Sequence, residues 1–186
     1  MVTQFVEDLP DPGDRQVPRY SAQPLPAYRY VPGVHPHPLR DPSGHSYEVV
    51  RAARSHTPWS PESWRQLEDW LYGIDLFNWF YFWEAHEAWE ELWASAPTET
   101  PQAQLLQGLI QIAAALLKTH MRVPAGARRL SAQGMQKLQC AAAVQHALLG
   151  LDLDDVVQSF TAYFAPLEED RLPVLDARVP VLRVTL

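Results

Sequence analysis

Apolar positions recur at helical spacing from about residue 60 to residue 164 of this chain, and they sort into five segments separated by proline and glycine. Ser60-Pro61-Glu62 supplies a capping hydroxyl, a proline at the first helical position and an acid in the first turn, which predicts a helix to about Tyr72, with Gly73 as its stop. Asp75 caps a second helix, rich in tryptophan, that closes near Ala94 before Pro97. A third spans Gln102 to Met121. It is apolar over most of its circumference (Leu105, Leu106, Leu109, Ile110, Ile112, Ala113, Leu116, Leu117), and Gln104, Gln107, Gln111 and Lys118 share one narrow polar stripe. A fourth is expected from about Ala125 to Leu149, interrupted near Gly134 and stopped by Gly150. A fifth, capped by Asp152 or Asp154, covers Asp155 to Phe164.

The flanks read differently. Ten of the seventeen prolines fall within the first 58 residues, a spacing that forbids continuous helix and favours extended backbone. Yet residues 25–47 carry tyrosines and histidines that a solvated spacer does not need. They predict an arm laid along the helical body, with about the first 18 residues as a mobile tip. After Arg171, valines at 174, 179, 181 and 184 suit a strand, but Pro173 and Pro180 reduce the segment to an extended strap. The fold class is therefore all-α: a bundle of about five helices over 59–170, an extended proline-rich arm over 1–58 and a short extended tail over 171–186. All seven tryptophans lie between Trp59 and Trp93, which places the aromatic core in the first two helices.

Charge narrows the partners. A net charge of −7 with only two lysines, Lys118 and Lys137, argues against nucleic acid and against an anionic membrane surface. No apolar run approaches the ~20 residues of a membrane span, and the first residues lack the basic and apolar parts of a signal peptide. A single cysteine, Cys140, fits a reducing compartment and reads as a small buried hydrophobe. These readings predict a cytoplasmic protein. The third helix can be central in a monomer or shared in a homo-oligomer.

The candidate chemistry lies on the second helix. Wound at about 100° per residue, Trp79, Phe82, Trp83, His86, Trp89, Glu90 and Trp93 fall within roughly 60° of one direction, while Glu84, Glu87 and Glu91 form a separate edge read as a solvated face. An imidazole and a carboxylate one turn apart inside an aromatic stripe predict a polar cluster. Gln107 and Gln111 of the third helix are its natural partners. His86-Glu87-Ala88-Trp89-Glu90 approaches the zinc pattern of two histidines four apart with an intervening glutamate, but a glutamate holds the second position. His86 and Glu90 can still donate two ligands to a divalent metal, with His37 and His45 of the arm as the candidate remainder and Glu87 as general base. His120 is a further imidazole within reach of sequence reasoning. A diiron arrangement fails because the third helix has no acid.

Three ordered blocks, Trp83-Glu-Ala-His-Glu-Ala-Trp-Glu-Glu-Leu-Trp93, Leu106-Gln-Gly-Leu-Ile-Gln-Ile-Ala-Ala-Ala115 and Gly126-Ala-Arg-Arg-Leu130, resemble the family called domain of unknown function 309. The likeness covers about residues 70 to 140 and implies a small helical bundle without bringing an activity. The proline-rich arm is similar to the N-terminal extension of some longer members. Two functions stand as expectations. One is a module that binds a small molecule or a protein partner through His86, Glu90, Gln107 and Gln111. The other is a metal-dependent, hydrolase-like enzyme with His86 and Glu90 as ligands and Glu87 as base.

Overall fold

A computed structural model describes residues 9, 17–47, 59–169 and 171–185. Most of the first 18 positions, including the expected mobile tip, lie outside the described residues. Five α-helices form the body among them: α1 (Glu68–Asn78), α2 (Phe82–Ser95), α3 (Pro101–His120), α4 (Pro124–Val144) and α5 (Leu153–Phe164). A 3-10 turn, Pro61–Gln66, precedes α1, and another, Ala165–Glu169, follows α5. None of these helices is long and apolar enough to cross a membrane.

The core follows from the helical periods. α3 packs on both α2 and α4, and it buries Leu105, Leu106, Leu109, Ile112 and Leu116 completely. Trp89 packs against Trp70 and Phe77 in the seam between α1 and α2, its ring tilted on each with centres 6.0 and 5.9 Å apart. At this depth each large side chain is worth about 3 kcal/mol over its exposed state. Gly108 and Gly134 let α3 and α4 approach closely: a Cβ on Gly134 would sit 2.9 Å from the Gly108 carbonyl oxygen. That close crossing keeps α4 continuous through Gly134, where the sequence predicts an interruption.

Four other expectations are corrected. Gly73 does not end a helix; α1 runs through it because the Trp89 indole occupies the space a Cβ would need. Asp75 therefore lies inside α1 rather than capping α2. The real break comes at residues 79–81, where Phe80 takes a left-handed φ of 67° while its side chain is buried. α4 stops at Val144, not Leu149. The chain then forms a two-stranded hairpin, β1 (Ala147–Leu148) with β2 (Leu151–Asp152), turning through Leu149 and Gly150 at φ 51° and 80°. Cys140 is exposed on α4, because the buried face there is made by Leu138, Ala141 and Ala142.

The inward face of α2 is also rotated from the expected one. Phe82, Ala85, Ala88, Trp89 and Leu92 are buried, which centres the face one residue earlier than His86 and turns it by about 100°. Trp93 is 38% exposed, and Trp79 lies outside the helix altogether. Glu84, expected on a solvated edge, is buried beneath the arm, with 6% of its surface exposed.

Candidate functional site

The arm has no regular structure of its own, so its backbone groups need partners elsewhere. Two buried carboxylates of the body, Asp75 and Glu84, supply them, and a third buried polar side chain, Asn78, does the same for the tail. Asp75 accepts the backbone N–H of Tyr20 and of Ser21, both at 2.8 Å, and the Ser21 hydroxyl at 2.7 Å; Arg19 Nε lies 3.1 Å from the same carboxylate. Asn78 takes Leu182 on both sides, accepting its N–H and donating to its carbonyl, each at 2.8 Å, and so fastens the C-terminal tail. Glu84 Oε1 accepts the Tyr30 N–H at 2.9 Å. Phenols add further ties: Tyr72 donates to the Pro24 carbonyl, Tyr81 to that of Pro26 and Tyr28 to that of Pro36. Arg29 closes the helix break, with Nε donating to the Trp79 carbonyl and the guanidinium 5.4 Å from the centre of the Tyr81 ring.

The arm then folds back over α2 and brings its histidines to that helix. His37 packs against Tyr30 and Trp83, and its Nδ1 accepts the Leu39 N–H. His45 Nε2 lies 3.1 Å from Glu84 Oε1, and its Nδ1 lies 2.7 Å from Ser46 Oγ; both its side chain and that of Glu84 are almost fully buried. A carboxylate only accepts, so Nε2 carries the hydrogen, and in neutral His45 the Ser46 hydroxyl donates to Nδ1. The result is a hydroxyl–imidazole–carboxylate relay formed across the seam. It lacks the second half of an acyl-transfer site. The Ser46 N–H is committed to the Pro38 carbonyl and the Tyr47 N–H to that of Gly44, so neither is free to hold an oxyanion beside the hydroxyl.

A cavity of about 270 Å³ opens at this seam. The arm contributes Gln23, Pro24, Pro26, Leu39, His45 and Ser46; α1 and α2 contribute Asp69, Tyr72, Leu76, Trp83, Glu84, Glu87 and Ala88. One feature of its lining is costly: Glu84 Oε2 is buried and has no hydrogen-bond partner among the described residues. A buried acceptor left unpaired costs about 1–3 kcal/mol, and more when it is charged. Burial pushes the Tyr72 phenol above its ordinary value of 10.0; Arg19 pulls it down, and the charges of Glu84, Tyr81 and Asp75 add to the rise. Tyr72 thus stays a proton donor at the rim.

The predicted cluster takes another form. His86 Nε2 lies 3.1 Å from Glu90 Oε1, while His86 Nδ1 lies 3.5 Å from Glu87 Oε1 without a hydrogen bond. The side chains of His86 and Glu90 are 24% and 46% exposed, so the pair sits at the surface of the bundle rather than in its core. No hydrogen bond joins Gln107 or Gln111 to either residue among those described, and Gln111 Oε1 is buried without a partner. His86, Glu87 and Glu90 can present three donor atoms all within 4.8 Å of one another. His37 and His45, the expected completion of that ligand set, are engaged elsewhere, on Trp83 and on Glu84. Sequence reasoning missed Glu84, Asp69 and Tyr72. The available signal was an acidic edge beside a proline-rich segment whose aromatics and histidines require a surface to lie on.

No curated protein matches the chain. From Trp70 in α1 to Leu130 in α4, residues 70–130 match the family model described as Domain of unknown function (DUF309), and it is that family to which the central helical segment of this chain is similar.

Proposed function

We propose that the protein is a small-ligand binding module whose site is the seam cavity between the arm and α1–α2, rather than the His86–Glu90 surface. The observation that carries this reading is Glu84 Oε2, a buried carboxylate oxygen without a donor among the described residues, in the lining of a cavity large enough for a small molecule. A fold under selection for stability alone pairs such an atom or replaces it; a binding site leaves it for the ligand. The arm supplies half of the wall, and none of its described residues falls within the family match at 70–130. On this reading the arm gives this chain its ligand preference. The test is a fragment screen by protein-observed NMR on wild type and on Leu39→Trp, which fills the cavity from the arm side. Fragments that move the resonances of Tyr72 and Trp83 in wild type and leave them unmoved in Leu39→Trp support the reading. A screen without such fragments, or shifts that persist in the variant, overturns it.

A second reading, a divalent-metal site, draws on the three donor atoms of His86, Glu87 and Glu90. As an enzyme it has a weakness of assignment, because Glu87 stands among the donors and cannot serve as both ligand and free base. Elemental analysis of purified protein tests it: stoichiometric metal that is lost in His86→Ala supports a metal centre, and metal-free wild type removes it.

A further inference from the structure

The chemistry of the seam cavity narrows the class of its occupant. Resting on the reading of that cavity as a ligand site, we infer that it takes a small organic cation, a molecule bearing an ammonium or guanidinium group. Among the described residues of its lining, three are carboxylates, Asp69, Glu84 and Glu87, and none is a lysine or arginine. His45 is the only basic side chain among the described lining residues, and it is already turned onto Glu84 Oε1. The remaining oxygen, Oε2 of the same carboxylate, has no donor among the described residues, so the partner it lacks is a donor. A cationic donor is the strongest such partner, because a charge-assisted hydrogen bond in a shielded site is roughly twice as strong as a neutral one.

Two further features separate an organic cation from a bare metal ion and from an anion. The indole of Trp83 and the phenol of Tyr72 stand in the lining beside the acids; aromatic faces attract ammonium and guanidinium groups and offer little to a hydrated metal ion. The carboxylates of the cavity are also not gathered on one point. Among the described residues, the three donors close enough to share a metal are His86, Glu87 and Glu90, and only Glu87 of these belongs to the cavity. An anion is disfavoured by the lining acids and by the net charge of −7, which at long range draws cations towards the protein.

The test compares three four-carbon probes of matched length, putrescine, 1,4-butanediol and succinate, by titration calorimetry against wild type, Glu84→Gln, Glu87→Gln and Leu39→Trp. Each variant is checked for an unchanged circular dichroism spectrum and cooperative melt. Glu84→Gln keeps an acceptor for the Tyr30 N–H while removing the charge; if it fails to fold, Glu87→Gln carries the charge test. The inference expects putrescine to bind wild type, with an affinity about tenfold weaker in either charge-removing variant and lost in Leu39→Trp. It expects no binding of butanediol or succinate at the same concentrations. Putrescine that binds all variants alike is associating with the acidic surface, and overturns the inference. Butanediol or succinate binding that is lost in Leu39→Trp, without putrescine binding, overturns the cation assignment and leaves the cavity as a ligand site. If none of the three binds, the cation assignment falls, and the cavity is judged separately by the fragment screen.

Discussion

Helix α2 takes part in two acid–imidazole pairs with opposite fates, one wholly its own and one shared with the arm. His86 and Glu90 meet within a single turn of one helix and remain half-exposed; any helix with these residues at this spacing can bring them together. His45 and Glu84 are 39 residues apart, come from an extended arm and a helix, and are both almost wholly buried. The first pair reports only local geometry. The second exists because the arm is folded onto the bundle, and it fixes one wall of a cavity. Proximity in sequence made the weaker pair conspicuous and hid the stronger one.

The sharpest way to break this comparison is to remove the arm. Deletion of residues 1–58 uncovers Tyr81 and Trp83 and strips Asp75 and Glu84 of the arm donors that they hold, so the melting temperature should fall by about 10 °C or more and the protein should aggregate. Calorimetry and light scattering measure both, and a truncated protein as stable and soluble as the full chain would make the arm a passive tail. The next largest effect is expected from Glu84→Leu, which strands the Tyr30 N–H and the His45 ring. It should cost about 3 kcal/mol in urea unfolding. By contrast, Glu90→Leu and His86→Ala should each cost less than about 1 kcal/mol, as for other exposed ion pairs. Equal losses at Glu84 and Glu90 would erase the distinction between the two pairs.

The smallest effect belongs to the rim. Tyr72→Phe removes one hydrogen bond to the Pro24 carbonyl, about 1 kcal/mol. Because burial raises the phenol above 10.0, the folded state holds this proton more tightly than the unfolded chain does. The contribution is therefore complete below pH ~10 and is lost as pH rises through the folded value. Melts between neutral pH and pH ~11 should show the wild type losing its margin over Tyr72→Phe only at the alkaline end.

The helical bundle was legible in the sequence because long 3.6-residue patterns, as in α3, admit few other solutions. Local punctuation misled where tertiary packing overrode it. Gly73 looks like a helix stop until Trp89 is known to lie against it, and Gly134 looks like an interruption until Gly108 is placed opposite. Gly150 marks a hairpin turn instead of a helix end. The polar cluster was misplaced for a related reason. Trp79, Trp83, Trp89 and Trp93 were read as one inward stripe, yet Trp83 faces the arm and Trp93 faces solvent, so the buried face is centred on Ala85 and Trp89. Glu84 and His86 lie about 100° to either side of Ala85, and the arm covers the first while the second stays partly open. No periodicity could have announced the partners of Asp75 and Glu84, which lie 54 and 55 residues away in a segment with no period at all.

The account rests on the arm being an integral wall of the folded body, fastened through carboxylates that the bundle keeps dry. Hydrogen exchange at the amides of Tyr20, Ser21 and Tyr30 measures this most directly, because these N–H groups donate to Asp75 and Glu84. Protection comparable to that of the buried amides of α3 is the predicted result, with the Tyr30 amide selectively released in Glu84→Leu. Exchange of all three at the rate of an unstructured peptide would contradict the account and return the arm to the status of a linker.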